Sequence, residues 1–126
     1  MNKNKIIFWT TTAIVSGMML FSGFLYLTSP DLKAAFVHLG FPDYFRIELG
    51  LAKLIGALTL LIPVTPYILR LFAYFGFGLT FISAIVAHFA SGDPLSVVIP
   101  PFIFLALLLV SYTYWGKTEE KKAVFA

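Results

Sequence analysis

The chain has 126 residues, 60% of them hydrophobic and only 12% charged, with a mean hydropathy of +0.91. A soluble domain carries about 25% charged residues, so an aqueous globular fold is excluded, and no nucleic-acid partner is expected despite the net charge of +3. The absence of cysteine removes disulfide exchange, thiolate catalysis and cysteine-ligated metal sites.

A bilayer span needs roughly 20 mostly apolar residues, which leaves room for four spans in one domain, 1–126. The first apolar segment, Ile6 to Thr28, follows the basic start "MNKNK". It exceeds the roughly 7–15 apolar residues of a signal peptide and is read as a retained span. "SPDLKAAFVHLGFPDY" comes next. Ser29 with Pro30 and Asp31 is a helix start, and Gly40 with Pro42 is a stop. Leu32, Ala35, Phe36 and Leu39 recur at helical spacing, so this link holds a short interfacial helix. The second span runs from about Tyr44 to Ile62 and closes on "PVTP", whose prolines make spans two and three antiparallel neighbours. The third runs from Tyr67 to Ser91.

"GDP" then turns the chain, with Asp93 suited to cap the next helix and Pro94 to begin it. The fourth span covers 95–115, and "GKTEEKKAVFA" is a polar tail. Pro100 and Pro101 either interrupt this helix, freeing the Ser96 and Val97 carbonyls, or lie in the first turn of a helix that starts near Val98. The expected fold is all-α: an integral membrane antiparallel four-helix bundle with a short interfacial helix between spans one and two.

Basic residues near the span ends set orientation. Lys3, Lys5, Arg70, Lys117, Lys121 and Lys122 fall on one side, and Lys33 and Arg46 on the other, so both termini are expected in the cytoplasm. Helix association in lipid relies on small residues and polar contacts. Ala13/Gly17 and Ala52/Gly56 have small-xxx-small spacing and are expected to pack.

The ionisable residues within this frame gather towards the outer leaflet. Arg46, Glu48 and Lys53 lie in the outer half of span two, His88 near the outer end of span three, and Asp93 and His38 in the outer links. At about 100° per residue, Arg46 and Lys53 share a face with Gly50 and Ala57, whereas Glu48 lies about 140° from Lys53 on the Ala52/Gly56 stripe. Glu48 and Lys53 therefore cannot pair as i, i+4 neighbours, and His88 is the expected partner of Glu48 by depth. Lys53 has two readings. It snorkels as an anchor, or it lines a polar pocket whose candidate residues are Arg46, Glu48, Lys53, His88 and Asp93. No metal site is expected, since His38 is the only histidine besides His88.

"HLGFPDYFRIELGLAKLIGALTLLIP" and "FAYFGFGLTFISAIVAHFASGD" resemble the DoxX-like branch of the DoxX family of small bacterial membrane proteins. The motifs are Leu39 to Pro42, Gly50/Lys53/Gly56, Ala73/Tyr74/Gly76 and His88/Gly92/Asp93. Many members carry a tryptophan where Phe72 stands here. The resemblance implies four membrane helices in the bacterial cytoplasmic (inner) membrane. Named members include a subunit of quinone-linked thiosulfate oxidation and a protein of superoxide detoxification, and distant animal relatives are channel-assembly chaperones.

The leading expectation is a non-catalytic subunit or assembly partner that binds another membrane or redox protein and has a polar outer pocket. It has no resident cofactor, and it is either alone or a homo-oligomer. One alternative is a quinone-binding subunit of a redox complex, with His88 and Lys53 on the quinone oxygens. Another is a small transporter or proton path, for which Thr59, Thr80 and Ser83 supply a thin polar route.

Overall fold

In the computed structural model, which describes residues 2–118, the chain forms five helices and no strand among the described residues: α1 Lys3–Thr28, α2 Pro30–Leu39, α3 Asp43–Leu61, α4 Tyr67–Ala90 and α5 Leu95–Thr118. Each begins or ends where local chemistry directs. The Asn2 side chain accepts from Lys5 N at the start of α1, and Ser29 Oγ from Leu32 N at the start of α2, with Pro30 in its first turn. Side-chain caps of this kind satisfy amide donors that a helix start leaves open.

Both α2 and α4 end on a glycine with positive φ, Gly40 at 84° and Gly92 at 72°. The amides that follow reach back to the helix: Phe41 N donates to Phe36 O and Asp93 N to His88 O, each at 3.0 Å. This left-handed closure folds each link back over the helix it has just left. Helix α5 runs from Leu95 through Pro100 and Pro101 without a break. The start near Val98 is therefore not adopted.

Helix α1 packs against α3 and α5, and α4 packs against α5 and more loosely against α3. The four longer helices thereby enclose one core of Phe8, Val15, Met19, Leu60, Phe77 and Leu108, with Tyr74 and Trp115 near the end where α1 begins and α5 finishes. The opposite, distal end holds the α1–α3 and α4–α5 links, with α2 lying on α3 and α1. Buried hydroxyls tie three helices together: Thr12 meets Ser111 Oγ at 2.6 Å, and Tyr74 Oη meets the same oxygen at 2.7 Å.

The closest helix crossing is at glycine, though not at the positions expected. A Cβ on Gly23 would stand 2.9 Å from Gly50 O, and one on Gly50 3.0 Å from Tyr26 Cβ, so α1 and α3 meet backbone to backbone there. Ala13 and Gly17 instead face outwards, with nothing within 4 Å of a Cβ placed on Gly17. Ala52 is also exposed, and of that pair only Gly56 packs, under the Phe77 ring. The reason is angular. The inward stripe of α3 is Arg46, Gly50, Lys53, Ala57 and Leu60, and Ala52 lies off it.

Helices α1, α4 and α5 are long and apolar enough to cross a membrane. Helix α3 does not reach that composition, because Arg46, Glu48 and Lys53 fall within its 19 residues. Large apolar side chains cover the outside, among them Phe21, Phe24, Ile55, Phe72 and Phe75.

The glycine crossing makes a direct prediction. Gly23→Leu should lower thermal stability in detergent by about 1–3 kcal/mol, the usual cost of overpacking, while Gly17→Leu should leave it nearly unchanged. Equal losses in the two variants would contradict the α1–α3 contact.

Candidate functional site

Lys53 lies on the inward stripe of α3 and is only 7% exposed. Its ammonium donates to Ser22 Oγ at 2.8 Å and stands 3.6 Å from the centre of the Tyr26 ring. Ser22 and Tyr26 are one turn apart on α1, flanking the glycine crossing that brings the two helices close. A cation over an aromatic face is stabilised by the ring quadrupole, more so when desolvated. Lys53 therefore turns into the protein instead of snorkelling, and no carboxylate among the described residues pairs with it.

Arg46, one heptad earlier on the same stripe, is 8% exposed. Its Nε donates to Asp43 Oδ1 at 3.0 Å, and its Nη1 donates to Tyr26 O. Tyr26 belongs to the last turn of α1, where carbonyls lack helical partners, so Arg46 closes the end of α1. Arg70 repeats the device at the other end of the molecule. Only 2% exposed, it donates to Leu60 O at 2.9 Å and Ile62 O at 2.8 Å, where α3 ends. Arg70 was expected only as a flanking charge.

Glu48 does not join these groups. It is exposed and makes no hydrogen bond or ion pair among the described residues, because its angular offset carries it away from the buried stripe. The pairing of Glu48 with His88 is accordingly absent, and His88 is held by Asp93. His88 Nδ1 stands 2.6 Å from Asp93 Oδ2, and His38 Nε2 stands 2.8 Å from Asp93 Oδ1. The hydrogen bonds from His88 and then His38 hold the Asp93 carboxyl below its ordinary range. The Asp93 carboxylate thus clasps two links together and no bond from it caps α5. His38, which stood outside the expected pocket, is part of this cluster. The His88–Asp93 half was legible in "HFASGD", since a left-handed glycine returns the second residue beyond the helix to its last turn. The His38 half carries no local signal.

Two clefts lie beside these groups. The distal cleft, about 340 Å³, is walled by Tyr26, Phe36, Phe45 and Ala84, with His88 at its edge. The proximal cleft, about 410 Å³, lies between α3 and α4 and includes Lys53, Gly56, Phe72 and Phe77. They share Leu49, Gly76 and Thr80. A Cβ on Gly76 would meet nothing within 4 Å, so no side chain stands there between the two adjoining clefts. The walls of both are mostly apolar, with the hydroxyls of Tyr26, Thr59, Thr80 and Ser83 among them. Thr59 and Thr80 donate to Ile55 O and Gly76 O within their own helices, and Ser83 lines the distal cleft. No group of three metal-ligating side chains occurs among the described residues.

If Lys53 answers to Ser22 and not to Glu48, a double-mutant cycle will separate them. Lys53→Leu and Glu48→Gln should add within about 0.3–0.5 kcal/mol, as distant sites do, whereas Lys53→Leu and Ser22→Ala should couple by about 0.5 kcal/mol or more. Coupling to Glu48 of that size, measured by thermal unfolding in detergent, would overturn the assignment.

No curated protein and no solved structure matches the chain significantly. The model of the DoxX-like family matches residues 10–111, from the first turns of α1 to the buried Ser111 of α5 and across both clefts and the His38–Asp93–His88 clasp. The chain belongs to the DoxX-like family.

Proposed function

We propose that this protein is a four-helix membrane bundle of the bacterial cytoplasmic membrane, with both termini in the cytoplasm. On this reading it acts as a non-catalytic subunit or assembly partner that holds an apolar small molecule in the groove between α3 and α4. The single observation that carries the binding role is that the two clefts adjoin at Gly76, with no side chain there between them. Ligand sites are concave and mostly apolar with a few placed polar groups, and this groove has Lys53 in one half and His88 in the other. The charged side chains support a holding role as well. Arg46, Lys53 and Arg70 are each committed to neighbouring helices, which suits a rigid container.

Insertion is supported by the family and by the apolar exterior of α1, α4 and α5. Helix α3 completes the bundle because its two buried cations, Arg46 and Lys53, turn to α1 rather than to lipid, so the cost of a charge in hydrocarbon is not incurred at its outer surface. The distal end then faces outwards. A reporter fused after residue 126 should read as cytoplasmic and one inserted within residues 33–37 as external, and the reverse pattern would sink this orientation.

For the groove itself, a diazirine-bearing alkane should photolabel residues around Leu49, Phe72 and Phe77. Gly76→Phe should suppress that labelling with little change in thermal stability, because its side chain enters open space. Undiminished labelling in this variant would refute the groove as the binding site. A quinone-binding subunit, with electrons supplied by another chain, is a second reading. It is favoured by Lys53 and His88 lining the two halves of one groove, and it requires that a short-chain quinone compete with the photolabel.

A further inference from the structure

Two acceptor oxygens and three ring nitrogens decide what the distal cleft can recognise. The Asp93 carboxylate is ionised under ordinary conditions, since hydrogen bonds from His88 and His38 hold its pKa down. An ionised carboxylate only accepts hydrogen bonds. Each ring nitrogen facing it must therefore carry the hydrogen: Nδ1 of His88 at 2.6 Å and Nε2 of His38 at 2.8 Å. The aspartate cannot swing away, because its own amide is bonded to His88 O and His38 holds its second oxygen.

A neutral imidazole with hydrogen on Nδ1 has a bare, accepting Nε2. His88 borders the distal cleft, and Nε2 is the nitrogen it has left to offer. The neighbouring Thr80 hydroxyl is already spent on Gly76 O. A group entering beside the neutral ring thus meets an acceptor in a cleft whose other polar side chains are the hydroxyls of Tyr26, Thr80 and Ser83 and whose remaining walls, Phe36, Phe45 and Ala84 among them, are apolar. A carbonyl or carboxylate there would set acceptor against acceptor, and an ammonium would carry a full charge into apolar surroundings at high cost. A hydroxyl satisfies the nitrogen without either penalty. The volume of about 340 Å³ lies within the range of roughly 300–1,000 Å³ of small-molecule sites.

We propose that the distal cleft binds, with the His88 ring in its neutral form, an apolar molecule carrying a hydroxyl group, which donates its hydrogen bond to His88 Nε2. This rests on the groove being a ligand site and adds the chemical class of the ligand. His38 and Asp93 are positioning residues: they fix the ring and its tautomer without touching the ligand.

The test compares 4-octylphenol with its methyl ether, which keeps the shape and loses the donor, on the full chain in lipid nanodiscs. Binding is followed through the ¹⁵N resonances of the imidazoles, of which the chain has two. The phenol should bind roughly fivefold to tenfold more tightly than the ether, the worth of one net hydrogen bond. It should move the His88 Nε2 resonance and spare the Nδ1 resonance of His38. In His88→Phe the two compounds should bind alike. Equal affinities on the parent protein, or a shift confined to His38, would overturn the proposal while leaving the groove as a ligand site. Failure of both compounds to bind would overturn the proposal and the groove together.

Discussion

A polar group taken out of water must find its partner inside the protein, and this chain meets that demand mostly by setting its cations against open backbone. Helix ends leave carbonyls without intrahelical donors and carry partial negative charge. Arg46 reaches Tyr26 O where α1 ends, and Arg70 reaches Leu60 O and Ile62 O where α3 ends. Arg46 comes from α3 and docks it on α1 across the intervening α2, and Arg70 comes from α4 and docks it on α3, so each bond that neutralises a terminus also joins two helices. Lys53, far from any helix end, takes a hydroxyl and an aromatic face instead.

These polar ties are unevenly distributed, and the groove follows from that. Helix α1 is fastened to α3 by Gly23 against Gly50, by Lys53 and by Arg46, and to α5 by Thr12 against Ser111. Helix α4 joins α5 through Tyr74, Ser111 and the stacking of Tyr74 on Trp115. Between α3 and α4 the ties are Arg70 at one end and Gly56 beneath Phe77. Gly76 beside Phe77, and Thr80 nearly one turn nearer the distal end, fill little space and line both clefts. Ser16 Oγ is an exception to the general satisfaction of polar groups, being buried with no hydrogen-bond partner.

The distal end depends on two turns of the same kind. Gly40 and Gly92 each take a left-handed conformation that a residue with a Cβ adopts at a cost, and each returns its link towards the helix just completed. Gly92 thereby sets Asp93 beside His88, and Gly40 ends α2 close enough for His38 to reach the same carboxylate. The clasp gives α2, which also contributes Phe36 to the cleft wall, a polar tie to the α4–α5 link.

The helices, the start at Ser29 and the stop at Gly40 were legible in the amino-acid order, because periodicity, capping and left-handed closure act over a few residues, whereas Asp93, expected to cap α5, binds two histidines instead. So was the sharing of one face of α3 by Arg46, Gly50, Lys53 and Ala57, which needs only the helical repeat, and with it the separation of Glu48. The partners were not legible. Lys53 meets Ser22 across 31 residues, His38 meets Asp93 across 55, and Thr12 meets Ser111 across 99. Such choices depend on which faces of two helices meet and how closely. Small-xxx-small spacing marks several faces as able to pack, but only the packed structure decided that Gly23 and Gly50 touch while Ala13 and Gly17 face out, because every helix must satisfy all its neighbours at once.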